Sequence, residues 1–242
     1  MAITMASGPL VGAYTGTFTH DGEGSVYGTL IDWFLRYQIP SFSPNTPSPP
    51  PVSAAPPSGN SPATNDLPGP SFTVQDTLTG QTWTAGGSVY TNITPDSLNI
   101  TANVPNAFIV SGTGNDILAA QAGGNNVLDD TGGAVNFEIG GSGTDAFFLD
   151  VSKNPVSWNT IANFHAGDFA AIYGITPQDV AANAANNLGV TGYSGLTLET
   201  YQNGGAAFIT FAGHNSSELG SSLATAFGTD PSGRSFMLVV GT

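Results

Sequence analysis

The sequence predicts an all-β protein: a short parallel β-roll or β-solenoid with a β-rich C-terminal cap, preceded by an N-terminal helical arm and a Pro-rich extended linker. Three observations predict it. Apolar residues recur at steps of about ten between Tyr90 and Asp150, a short fixed period that marks a solenoid. Glycine and asparagine fill the intervals, as tight turns require. Eleven of the 17 prolines fall between Pro40 and Pro70 and separate that region from what precedes it.

Residues 1–39 form the arm. Within GEGSVYGTLIDWFLRYQI, Val26, Leu30, Trp33, Phe34 and Tyr37 recur at three- and four-residue steps, the spacing of an amphipathic helix. Asp21 and Glu23 near its start and Arg36 near its end suit the helix dipole. The same residues also favour strands, so a β-hairpin is the competing reading. An apolar segment of this kind must be buried, either on its own C-terminal part or on a neighbouring subunit. Residues 40–70 form the linker. Proline locks φ and carries no N–H, so the linker is expected to run as extended polyproline II.

Residues 71–151 hold the solenoid. After NITPDSLNIT come the decades NVPNAFIVSG, TGNDILAAQA, GGNNVLDDTG, GAVNFEIGGS and GTDAFFLDVS. They place Leu98, Phe108, Leu118 and Leu128 in one column, and Ala107, Ile117, Val127, Phe137 and Phe147 in the next. No unit buries its apolar side chains alone, so stacking supplies the core. Residues 152–242 form the cap. TPQDVAANAANN predicts a short helix from about Thr176. LTLETYQNGGAAFITFAG predicts a hairpin about Asn-Gly-Gly. Asn215 or Ser216 is placed to cap a short helix. SFMLVV is the last strand. Such a unit covers strand edges at the end of the stack.

Composition limits the partners. The chain has 17 acids against Arg36, Lys153 and Arg234, a net charge of −14. Phosphate neutralisation is out of reach, which excludes nucleic acid. Anionic membranes and membrane insertion are excluded as well. With 40% hydrophobic residues a core is available, and without cysteine no disulfide holds it. The opening MAITMASGPLVGAY has neither a basic residue nor a long apolar stretch, so no cleaved secretory leader is expected there.

Two phrases carry a resemblance. Gly140-Gly141-Ser142-Gly143-Thr144-Asp145-Ala146-Phe147 meets every fixed position of Gly-Gly-x-Gly-x-Asp-x-apolar. Ser111-Gly112-Thr113-Gly114-Asn115-Asp116-Ile117-Leu118 meets all but the first. The region resembles the hemolysin-type calcium-binding (RTX) repeat. The order of later phrases, WNTIANFHAGDFAAIYGITPQD through AFITFAGH, resembles a C-terminal module of type I-secreted RTX-type proteins of alphaproteobacteria. The resemblance implies a parallel β-roll with calcium held by glycine carbonyls and aspartates of stacked turns. The implied ligand residues are Gly112, Gly114, Asp116, Asn126, Asn136, Gly141, Gly143 and Asp145. Here Asn126 and Asn136 stand where the repeat wants aspartate. With two repeats per coil, Asp116 is expected to face Asn136, and Asn126 to face Asp145. Each site then has one carboxylate instead of two, and calcium affinity follows ligand charge. Two outcomes stay open: one or two weak calcium sites, or a roll that folds on asparagine ladders without calcium. The resemblance also implies a C-terminal export signal within residues 152–242, the type I secretion machinery as partner, and the exterior or cell surface of a Gram-negative bacterium as location.

An enzyme is not expected. His20, His165 and His214 are the only physiological bases. His165 and His214 sit in turns where orienting a loop is the ordinary role. Gly192-Tyr193-Ser194-Gly195 lacks the spacing of a nucleophile elbow. No His-Glu-x-x-His occurs. Asp129, Asp130, Asp145 and Asp150 form no recognisable acid/base pair, and Asp168 is read as a turn cap. The expected function is a secreted non-catalytic structural protein that self-associates, as a homopolymer, into extracellular filament or matrix material through its arm and linker. The alternative is a monomeric calcium-dependent binding module with a glycan as candidate ligand.

Overall fold

The computed structural model describes residues 4–7 and 71–242, apart from 93, 121–122, 131, 133, 153–155, 203–204 and 230–233. The expected arm helix and the Pro-rich linker lie outside the described residues. The fold is all-β and contains a β-solenoid of about 4 turns. Its strands are β1 Thr4–Ser7, β2 Ser71–Asp76, β3 Thr82–Gly86, β4 Val89–Thr91, β5 Leu98–Ala102, β6 Phe108–Val110, β7 Ile117–Ala119, β8 Val127–Asp130 and β9 Val135–Ile139. They continue with β10 Ala146–Asp150, β11 Ser157–Ala162, β12 Phe169–Tyr173, β13 Ala185–Leu188, β14 Gly195–Gln202, β15 Gly205–Ala212, β16 Leu223–Thr229 and β17 Ser235–Gly241. Among the described residues one α-helix, α1 (Pro177–Asn183), interrupts them.

From β4 to β12 the chain alternates between two sheets. The first runs β1-β16-β17-β12-β10-β8-β6-β4 and the second β13-β14-β15-β11-β9-β7-β5-β2-β3. Pairing is parallel from β4 through β12 in the first sheet and from β5 through β11 to β15 in the second. Antiparallel strands finish both ends. The β2–β3 hairpin joins β5, and β17, β16 and β1 follow β12. The expected cap is therefore built as a continuation of both sheets.

The core lies between the sheets. Tyr90, Ile109, Leu128, Phe147, Ala170 and Val239 align along the first sheet. Val74, Ile100, Leu118, Ile161 and Phe211 align along the second. All belong to one buried apolar cluster. The columns expected from a strict ten-residue step are partly corrected. Leu118, Leu128 and Phe147 face inward, but Phe108, Ile117 and Phe137 are only half-buried. The coil length is not constant: facing turn residues lie 18, 19, 20 and 23 positions apart. A slip of one residue turns a strand's side chains to the opposite face.

Local chemistry accounts for the remaining elements. Thr176 caps α1 and exchanges hydrogen bonds with Asp179, and Pro177 follows at the position where a missing N–H costs nothing. Asn215 caps a single 3₁₀ turn, Ser216–Glu218, in the same reciprocal way with Glu218. The hairpin of β14 and β15 pairs from Gly195–Ala212 to Gln202–Gly205. Among the described residues no helix is long and apolar enough to cross a membrane.

Glu138 breaks the pattern of the inner column. It pairs with Leu118 on one side and Ile161 on the other, and is 1% exposed. Neither carboxyl oxygen makes a well-formed hydrogen bond. Burial, reinforced by Asp130 and Asp129, pushes its pKa well above the usual carboxylate range. A group whose folded pKa is raised binds protons more tightly when folded, so stability falls as pH rises from its unfolded pKa toward its folded one. Glu138→Met should therefore raise stability at neutral pH by about 1–3 kcal/mol and flatten the pH dependence of the melting temperature. A lower melting temperature for the variant at pH 7 would show that the carboxyl has a stabilising role.

Candidate functional site in the stacked turns

The turns of successive coils stack in two columns, and these hold the implied ligands. The first column follows the strands of the first sheet. In it Asp116 Oδ1 accepts the Leu98 N–H at 2.7 Å, and Oδ2 accepts the Gly112 N–H at 3.2 Å. Asp116 N–H in turn donates to Asn136 Oδ1 at 2.7 Å. Asn136 Nδ2 donates to Asp130 Oδ2 at 2.7 Å and to Asn159 Oδ1 at 3.1 Å. Asp130 Oδ1 accepts the Ser111 hydroxyl at 3.1 Å.

The second column follows the strands of the second sheet and repeats the device. Asn126 Oδ1 accepts the Ala107 N–H at 3.0 Å. Asp145 Oδ1 accepts both the Asn126 N–H at 3.0 Å and the Asn126 Nδ2 at 2.7 Å, while Oδ2 accepts the Gly141 N–H. Asp168 Oδ1 accepts the Asp145 N–H at 2.8 Å, and Asp168 Oδ2 the His165 N–H at 2.9 Å. An outer ladder runs alongside: Asn106 Oδ1 accepts the Asn125 N–H at 2.9 Å, and Asn125 Oδ1 the Thr144 N–H at 3.0 Å.

The facing pairs Asp116–Asn136 and Asn126–Asp145 thus meet as the spacing predicts, in separate columns. The glycines permit the close stacking. A Cβ on Gly112 would lie 2.1 Å from the Thr94 carbonyl oxygen, one on Gly114 2.2 Å from that of Asp96, and one on Gly143 1.7 Å from that of Gly124. Gly141 takes part through its N–H.

The oxygens of these columns point at N–H donors. At Asp116 both carboxylate oxygens are taken by backbone amides. At Asp145 the neighbouring position presents an amide nitrogen, which supplies the hydrogen bond that a cation would replace. Calcium requires several oxygens converging at one point, and these two positions do not fit it. Adjacent coils bring Asp116 near Asp130, and Asp145 near Asp168. Beside the latter pair Asn163 Nδ2 donates to the Gly140 and Gly141 carbonyls. His165 approaches the Gly141 carbonyl with Nε2 at 3.3 Å and Asp168 Oδ2 with Nδ1 at 3.3 Å. No group of three or more His, Cys, Asp or Glu able to hold a metal occurs among the described residues.

The electrostatics follow from burial. Asp116 is pushed up to about 6 by burial, against the lowering effect of the Leu98 and Gly112 N–H groups. Asp168 is pushed up to about 6 by burial, opposed by the Asp145 and His165 amides. Asp145 is raised by burial and held back by Asn126 and Gly141. Tyr90, inside the first coil, is pushed up to about 12 by burial and by the nearby Asp116 charge. The other described histidine, His214, bridges Glu218 Oε2 and the Phe164 carbonyl, each at 2.9 Å.

Asp168, Asn159, Asp130 and the outer asparagines are members of the ladders that the repeat alone did not identify. Asp168 lies 23 positions beyond Asp145, outside a ten-residue frame. Its signal was the Asn163-x-His165-x-x-Asp168 turn, where Asn163 takes φ 59°. No family model, no curated protein and no solved structure matches the chain.

Two outcomes are expected. Asn126→Asp places a second carboxylate against Asp145 and removes the donor, so its melting temperature in EDTA should fall, by about 1–3 kcal/mol of stability; added calcium should restore part of the loss. An unchanged melt would show that the amide contributes nothing. Between pH 7.5 and pH 5 the wild-type chain should gain stability, because the folded pKa values of Asp116 and Asp168 stand near 6 against an ordinary 3.8. Each contributes up to about 1.4 kcal/mol per pH unit within that window. Melting curves across the range would show the opposite trend if ordinary carboxylate pairing dominated.

Proposed function

We propose that this chain is a secreted, non-catalytic structural protein that associates end to end into filament or matrix material at the surface of a Gram-negative bacterium. The observation that carries the reading is the state of the two ends. Among the described residues one leaves the edges of β4 and β3, the other those of β1 and β13. Contact between unlike ends continues both sheets from one subunit into the next. Such a heterologous contact does not close on itself, so it propagates. The edges are short, three residues in β4 and four in β13, so each contact is weak and association depends on concentration. The turn carboxylates support the same reading, because their oxygens are engaged in holding coils together. Kinship with RTX-type proteins and export by the type I route belong to this proposal, on the strength of the glycine-rich phrases at 111–118 and 140–147.

Light scattering and electron microscopy of purified protein test it: fibres or a mass rising with concentration are expected, and monomers at millimolar concentration would refute it. A second reading, a calcium-dependent binding module, is favoured by Asp145 and Asp168 standing in adjacent turns. It requires calcium to raise the melting temperature and EDTA to lower it. The structural reading expects the wild-type melt to be indifferent to both.

A further inference from the structure

The outer face of the second sheet is divided. Toward β3 it is polar: Thr84, Thr73 and Thr101 share one outward row, and Thr82, Gln75 and Asn99 the next. Toward β14 it is apolar. Val135, Trp158 and Phe208 align across β9, β11 and β15, and Glu199 of β14 ends their row. The indole of Trp158 stacks on the Phe208 ring at 4.7 Å and donates Nε1–H to Thr210 Oγ1 at 3.0 Å, which fixes both rings. Phe137 lies in the neighbouring row and meets the ring of Tyr193 edge-on at 5.4 Å. Val135 is 50%, Tyr193 41% and Tyr201 63% exposed, while Phe137, Trp158 and Phe208 are half-buried.

This end of the face carries little charge. The outward rows of β9, β11, β14 and β15 hold one carboxylate, Glu199, which accepts the Tyr201 hydroxyl at 2.6 Å. Asp116, Asp130, Glu138, Asp145 and Asp168 are buried. A chain of net charge −14 can therefore bring two copies together here with little like-charge repulsion. An apolar patch is matched by another apolar patch, and two identical ones meet in a two-fold contact. Four strands of about five residues cover roughly 300 Å². A stable dimer needs about 800 Å² from each partner, so one such contact does not hold two free subunits. Subunits joined end to end carry the patch once each along the continued second sheet. Many weak contacts then act together.

We infer that the outer face of β9, β11, β15 and β14 is a lateral contact, on which the same face of a second copy in a neighbouring filament packs and gathers single filaments into bundles. This rests on the end-to-end reading above, which supplies the repetition.

Val135→Asp combined with Tyr201→Asp puts like charges on both sides of the contact, at exposed positions. Gln75→Asp adds a charge at the polar end of the same face and is the control. Electron microscopy and turbidity of the full chain should show bundles for the wild type and for Gln75→Asp. The double variant should give single filaments, with bundling delayed to a concentration roughly tenfold higher or more. Its melting temperature should match the wild type; if it melts early, the two single variants replace it and are read in the same way. Variant bundles as wide as those of the wild type overturn the inference, and so does an equal loss of bundling in Gln75→Asp. Wild-type filaments that stay single overturn it as well and leave the end-to-end reading standing. A wild-type chain that stays monomeric at millimolar concentration removes both.

Discussion

In a stack of parallel coils each strand pairs above and below, and its backbone polar groups are satisfied by the ladder. The turns between strands have no ladder, yet they are pressed against the turns of the next coil. Their N–H groups still need acceptors. Here an Asp or Asn side chain supplies them at five positions, reaching into the adjacent turn: Asp116 to Leu98, Asn126 to Ala107, Asn136 to Asp116, Asp145 to Asn126 and Asp168 to Asp145. Glycine at 112, 114 and 143 is the second half of the same requirement, since any side chain there would displace the neighbouring carbonyl. Coil spacing, sheet register and core packing all follow once the turns can approach to hydrogen-bonding distance.

Asparagine and aspartate are not equivalent in this role. Both accept an N–H through Oδ1. Aspartate adds a charge that must be stabilised in a buried turn, and the raised pKa of Asp116 and Asp168 records the cost. Asparagine adds a donor, which Asn126 directs at Asp145 and Asn136 at Asp130. The Asn126 amide thereby offsets the carboxylate of the next coil, and the Asn136 amide one in its own turn. A chain with 3 basic residues has few other means of neutralising 17 acids. Arg234 serves one of them directly, lying 3.2 Å from Asp150 and over the ring of Tyr173.

Much of this was legible beforehand because it depends on residue type at a repeating position. The glycine-rich phrases announce the turns, and the facing of Asp116 with Asn136 and Asn126 with Asp145 follows from counting. Thr176, Asn215 and the β14–β15 hairpin were readable from local capping and turn chemistry. What escaped reading depends on exact register. Phe108, Ile117 and Phe137 look like core residues in a ten-residue frame, but the coils vary in length. The β2–β3 hairpin has no repeat to betray it. Glu138 occupies an inward position that polarity alone would assign to solvent, and Asp168 falls beyond the counted period.

The pairing of β1 with β16 has a kinetic meaning. Thr4 meets Thr229, so nearly the entire polypeptide separates the partners. The coils between them join near neighbours in the chain and can form in succession, at little loss of loop entropy for each step. The closing pair cannot: a nascent chain leaving the ribosome amino end first holds Thr4–Ser7 unmatched until Leu223–Thr229 have been synthesised. Such distant closure slows folding, and it makes completion of the molecule contingent on an intact carboxyl end.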